Sequence, residues 1–177
     1  MKVFISSDRR HRFFIDVSCE AVDAVNSQHF GEPIQAIFPP RLLGVDTGNL
    51  LADVLPILDA EVVLINATPS KQRGRWTFNT GVMIEYGMTL GRSRATKEIS
   101  WPKPYYRVFC NQRYALSRLP PMLNEERVNK FATSKTGRVA LHERLISILK
   151  QALAERERAA AESQRMVTRT ASTFAWD

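Results

Sequence analysis

One carboxylate stands out in this chain. The segment FNTGVMIEYGMTLG, residues 78–91, sets Glu85 among apolar and small residues. A lone glutamate on a helix ordinarily points into solvent. Here Met83, Ile84 and Tyr86 are its neighbours in sequence, and Gly81 and Met88 lie on its own face at helical spacing. Glycines at 81, 87 and 91 cost a helix interior about 1 kcal/mol each, so a packing reason is expected for them. Gly87 and Gly91, four apart, would form one stripe along which another backbone approaches closely, while Gly81 would leave space beside Glu85. A helix of this kind belongs against a sheet, at the side of a cavity.

Basic residues gather around the same helix. Between residues 70 and 113 stand Lys71, Arg73, Arg75, Arg92, Arg94, Lys97, Lys103, Arg107 and Arg113, against Glu85 and Glu98. Nine minus two is +7, the net charge of the whole chain, so the remainder is neutral. A field of this sign favours an anionic partner, either the phosphate of a nucleotide or nucleic acid. The alternative is a solvated basic surface that serves solubility.

The elements that must position these residues alternate along the chain. KVFIS (2–6), IQAIF (34–38), EVVLINA (61–67) and YYRVFCN (105–111) are apolar, β-rich runs, with a further short strand near 128–131. Helical periodicity runs through 9–28, from Asp46 or Thr47 to Ala60 around Pro56, through the Glu85 segment to about Gly91, and from about Arg138 to Ala161. Alternation of this kind predicts a parallel sheet with helices on both faces. Ligands of such sheets bind beyond the carboxyl ends of the strands. That rule selects the loops at 6–8, 39–44 and 66–76, of which the last, NATPSKQRGRW, leads into the Glu85 helix.

The 177 residues suit one domain, long enough to bury a core without disulfides or metal. Cys19 and Cys110 make no disulfide framework, and their apolar neighbours predict reduced, buried thiols and a cytoplasmic location. His11, His29 and His142 are scattered and neither CxxC nor HExxH occurs, so no metal site is expected. No apolar run approaches the roughly 20 residues of a membrane span, and MKVFISSDRR returns to charge too early for a secretory signal.

DAEVVLINAT followed by FNTGVMIEYGMTLG resembles a pattern shared by TIR-like domains and nucleoside 2-deoxyribosyltransferase-like proteins. The pattern is an apolar strand preceded by Asp, a polar loop, then a helix with Asn, Glu and spaced small residues. Asp59 and residues 62–65 match the strand. Phe78, Asn79, Val82, Glu85, Tyr86, Gly87, Leu90 and Gly91 match the helix. KVFISSD looks like the first strand of such proteins, and the stretch from LPPML to RVNKF looks like their closing strand before a last helix. Asn66 stands where the family strand often ends in an acid, Thr89 replaces an alanine, and QRGRW is a basic, aromatic insertion.

The resemblance implies a doubly wound parallel sheet of flavodoxin-like type in one domain, residues 1–161, with 162–177 as a tail in which Phe174 and Trp176 could dock. It implies cleavage of the N-glycosidic bond of NAD or a related nucleotide, as in effectors of bacterial antiviral defence, with no cofactor beyond that substrate. Glu85 would be the catalytic carboxylate, either as nucleophile at C1′ or as stabiliser of the oxocarbenium-like cation. Ser6, Ser7 and Asp8 would meet ribose or phosphate, although Ser7 or Asp8 can instead cap a helix. Arg73 and Arg75, with Arg92, would hold phosphate. Asn66 would belong to the same ligand set. Trp76, Phe78 or Tyr86 would stack on a base, or serve as core. Asn79 would bond a ribose hydroxyl, or cap its helix.

Such domains act by pairing, so a homo-oligomer and a separate activating partner are expected. No helix-turn-helix, zinc-finger or RNP motif is present, and neither nucleic acid nor membrane is expected as a partner. The competing readings are a housekeeping nucleotide N-hydrolase or deoxyribosyltransferase, a non-catalytic nucleotide-sensing or signalling module, which Asn66 favours, and, ranked last, nucleic-acid binding, which only the basic segment supports.

Overall fold

The apolar runs become the strands of one parallel sheet in the computed structural model, which describes residues 1–39, 55–94, 103–114, 123 and 128–173. In chain order the elements are β1 (Lys2–Ser6), α1 (Arg12–Asn26), β2 (Gln35–Ile37), β3 (Val62–Asn66), β4 (Ser70–Gln72), β5 (Arg75–Thr77), α2 (Thr80–Arg94), β6 (Tyr105–Asn111), β7 (Asn129–Phe131) and α3 (Lys135–Thr173). The main sheet runs β2-β1-β3-β6-β7, and every neighbouring pair in it is parallel. This order is compatible with a flavodoxin-like fold.

Side-chain alternation sorts the core into two layers. Val3, Ile5, Val62, Leu64 and Phe109 point to one face and pack with α1 and α3. Phe4, Val63, Ile65 and Val108 point to the other and pack with Val82 and Tyr86 of α2. Strand β3 is buried along its whole length, which is why its sequence shows no polar alternation. Each large side chain fully buried here contributes about 1.5–3 kcal/mol.

The structure departs from the sequence expectation in two places. The polar loop after β3 is a β-hairpin, in which β4 and β5 pair antiparallel. Arg73 (φ 46) and Gly74 (φ 80) form its two-residue turn, the doubly left-handed type that matches the twist of short strands. Helix α3 does not end at Ala161 but continues to Thr173. No Gly or Pro follows Gly137, and AERERAAAESQR is rich in strong helix formers, so nothing in the sequence stops it. Of the helix expected from Asp46 or Thr47 to Ala60, residues 55–58 are helical and 46–54 lie outside the described residues, as do Phe174 and Trp176.

The glycines of α2 also need a different account. Gly87 and Gly91 are exposed, and a Cβ on either would meet nothing within 4 Å. They do not bring the helix closer to the sheet. Alanine at either position therefore removes backbone entropy from the unfolded chain without a clash. Gly87→Ala and Gly91→Ala are each expected to raise stability by about 0.5–1 kcal/mol, read from the shift in a denaturant midpoint.

Candidate functional site

Three neighbouring strands end in the same device. Beyond β1, Asp8 Oδ1 accepts the backbone N–H of Arg10 at 3.0 Å. At the end of β3, Asn66 Oδ1 accepts that of Thr68 at 3.2 Å. At the end of β6, Asn111 Oδ1 accepts that of Arg113 at 3.0 Å. Each is an Asx turn, a short polar side chain standing in for a backbone carbonyl two residues before the N–H. Further bonds lace the turns together. Asn66 Nδ2 donates to Ser7 Oγ at 3.1 Å, Thr68 Oγ1 donates to Asn66 Oδ1 at 2.6 Å, and the N–H of Asn111 donates to Thr68 Oγ1 at 2.9 Å. The chain reverses its strand order between β1 and β3, the position where sheets of this order form a crevice.

Asp8 is the hub of this network and is 3% exposed. Its Oδ2 accepts Ser70 Oγ at 3.1 Å and Asn79 Nδ2 at 3.2 Å. Ser70 Oγ also lies 3.1 Å from His11 Nε2. Of the two roles left open by the sequence Asn79 fills the cap, because its Oδ1 accepts the N–H of Val82 at 3.2 Å at the start of α2. Neither Ser7 nor Asp8 caps α1, whose N-cap position is His11 with no side-chain cap. Burial pushes the Asp8 carboxyl upward, but the Arg10 N–H, Asn79, Ser70 and the Arg10 charge outweigh it and hold the pKa below the ordinary value. Burial pushes His11 below its ordinary value, and the Asp8 charge and the Thr68 backbone only partly oppose it.

Glu85 lies on the sheet-facing stripe of α2, made of Val82, Glu85, Tyr86, Thr89 and Arg92. Its exposure is 0%. Ser6 follows Phe4 on the same side of β1, and its Oγ donates to Glu85 Oε2 at 2.5 Å. Arg92, expected to meet phosphate, is buried at the other end of the helix. There its Nη1 donates to the carbonyls of Ile57 and, at 3.1 Å, Ala60, tying α2 to the segment that enters β3.

Of the residues picked from sequence, Ser6, Ser7, Asp8, Asn66, Asn79 and Glu85 come together. Arg73, Arg75 and Trp76 stand apart on the hairpin. Tyr86 is fully buried in the core, so it presents no face for a base, and Phe78 packs partly buried against the same cluster. Thr68, Ser70, His11 and Asn111 belong to the network without having been singled out. The Asx residues had a signal, since Asp8, Asn66 and Asn111 each close an apolar run. Ser70 had none, because its position depends on the hairpin. A cavity of about 490 Å³ lined by Gln112, Lys130, Phe131, Ser134, Arg144 and others lies two strands away. It shares no residue with the network and gathers no buried polar side chain, so the network is the better candidate.

The chain matches no family model, no curated protein and no solved structure. Among the described residues no group of three or more His, Cys, Asp or Glu could hold a metal ion, and no helix is long and apolar enough to cross a membrane. Cys19 and Cys110 form no disulfide, and burial raises the pKa of both thiols.

The shifts at His11 and Asp8 act in one direction. Below about pH 6.5, the ordinary value for His11, the unfolded chain takes up a proton that the folded chain resists, so stability falls with pH. Asp8 adds stability that is present above its ordinary 3.8 and is lost on further acidification. His11→Gln is expected to remove the first loss and leave the second, as measured by denaturation at a series of pH values.

Proposed function

We propose that the chain is a TIR-like or nucleoside 2-deoxyribosyltransferase-like N-glycosidase acting on NAD or a related nucleotide. The observation that carries the reading is the Ser6–Glu85 hydrogen bond. It holds a helix carboxylate at the carboxyl end of β1, beside the Asp8 network at the switch point. As the base departs with the electrons of the C1′–N bond, positive charge grows at C1′. The carboxylate opposes that charge, as nucleophile or through space, and water supplies the oxygen that ends at C1′. Because Ser6 covers Glu85, the substrate must displace the serine hydroxyl, and a ribose hydroxyl can replace it as donor. Asp8 and Asn79 offer acceptor and donor groups to the remaining ribose hydroxyls. Self-association and an activating partner belong to this reading, as does a role in antiviral defence.

A second reading, a nucleotide-sensing module without turnover, is favoured by the complete burial of Glu85. Incubation with NAD and with deoxynucleotides, followed by chromatography for a released base, separates the two. Under the first reading the wild type releases a base. Glu85→Gln keeps size and much of the hydrogen bonding but loses the charge, and turnover is expected to fall about 10²–10³-fold with little change in nucleotide affinity or Tm. Nucleotide binding without release supports the sensing module, and a Gln variant that unfolds shows that Glu85 is structural.

A further inference from the structure

Beyond Ser70 at its root, the hairpin β4–β5 is not used by that function. Its register pairs Lys71 with Trp76, and directly opposite residues share one face, so an ammonium and an indole stand side by side. Trp76 is 49% exposed. Its ring meets Tyr114 edge-on, with centroids 4.7 Å apart, so it is braced from one side and open on another. Arg73 holds a left-handed backbone at φ 46, a region non-glycine residues visit seldom, and so keeps a guanidinium at the tip of the turn. Lys71, Arg73 and Arg75 are all exposed.

Charge around the hairpin is one-sided. The loop after β1 adds exposed Arg9 and Arg10, the latter 4.0 Å from the Asp8 carboxylate, the start of α1 adds exposed Arg12, and Arg113 stands next to Tyr114. In residues 7–12, 67–77 and 111–114 the one acid is Asp8, which is buried. At the opposite edge of the sheet the acids are paired. Glu32 and Glu61 meet Arg156 and the N-terminus, and Asp59 meets Lys2. The unbalanced positive field therefore includes the carboxyl edge, with a braced indole within it.

We propose that this edge binds single-stranded nucleic acid, with Trp76 as the platform for a base and the surrounding basic side chains following the phosphates. An exposed indole gains from an unstacked base and nothing from the closed stack of a duplex. The basic groups come from three separate segments that meet here, and a polyanion can engage more of them at once than a mononucleotide can. The lack of groove-reading motifs argues against sequence-specific readout but not against a stacking surface, so nucleic acid returns as a partner without strong sequence preference. Binding at this edge is independent of any chemistry at Glu85.

The test is fluorescence anisotropy of a labelled oligothymidylate, with duplex DNA, inorganic polyphosphate and NAD as competitors. The single strand is expected to bind at low salt and weaken as salt rises. Trp76→Ala is expected to weaken it about tenfold while leaving polyphosphate competition unchanged, and Trp76→Phe to restore most of the loss. Arg73→Ala and Arg75→Ala are expected to weaken both polyanions and flatten the salt slope by about 0.7 per charge removed. Circular dichroism checks that each variant is folded, and if Trp76→Ala is not, Trp76→Phe and the arginine variants carry the test. Failure to bind oligothymidylate at low salt, wild-type affinity in Trp76→Ala, or tighter duplex binding would each overturn the proposal. Stronger competition by NAD than by oligothymidylate overturns it as well and assigns the surface to a small nucleotide.

Discussion

Parallel strands deliver their carboxyl ends to one edge, and each backbone N–H beyond the last rung of the ladder must find a partner. Asp8, Asn66 and Asn111 meet that constraint with their own side chains. Much of the crevice depends on it. Once Asp8 has turned back on Arg10, its second oxygen is left to hold Ser70 of the hairpin and Asn79 of α2. One carboxylate thus sets the first loop, the hairpin root and the helix start relative to one another. A residue needed for backbone satisfaction is also at the centre of the best candidate for chemistry.

Helix α2 shows the same economy. Its buried stripe holds only Val82 and Tyr86 as large apolar residues, and otherwise Glu85, Thr89 and Arg92. Partly buried Met83, Met88 and Leu90 add apolar contact at its margins, but the centre of the stripe is polar. Hydrogen bonds fix that stripe along its length, from Ser6 to Glu85 and from Arg92 to the carbonyls of Ile57 and Ala60. Bonds to charged groups contribute about 1.5–3 kcal/mol each, and removing one partner alone leaves the other to bear its desolvation. The helix is therefore placed by polar contacts whose geometry is narrower than that of an apolar seam.

The strands were legible because buried parallel strands are continuous apolar runs, and those at residues 2–6 and 105–111 coincide with the elements observed. Glu85 was legible as a carboxylate on the sheet-facing side of its helix because the Met, Ile and Tyr around it belong to a helix that packs on a sheet, but its complete burial beneath Ser6 was not. Two things were hidden. The direction of the α2 glycines was one, because spacing puts residues on a stripe without saying which way the stripe faces; Gly87 and Gly91 face outward. The hairpin was the other. Its strands are three residues each, too short for alternation to show, and only the Arg73-Gly74 pair marks the turn. Because Ser70 owes its place to that turn, the Ser70–His11 contact could not be read from spacing.

Helix α3 has 39 residues, about 58 Å at the usual rise of 1.5 Å per residue. Its apolar face is spent by Leu153, and the side chains from 154 to 165 are all exposed. The part beyond Leu153, about 30 Å at that rise, leaves the sheet layers and gives the molecule more hydrodynamic drag than a sphere of equal mass. The chain will therefore elute from a sizing column earlier than its 20.1 kDa would suggest, and a single copy can pass for a larger assembly. Scattered-light intensity reads mass without reference to shape, and it is the measurement by which copies of this chain should be counted.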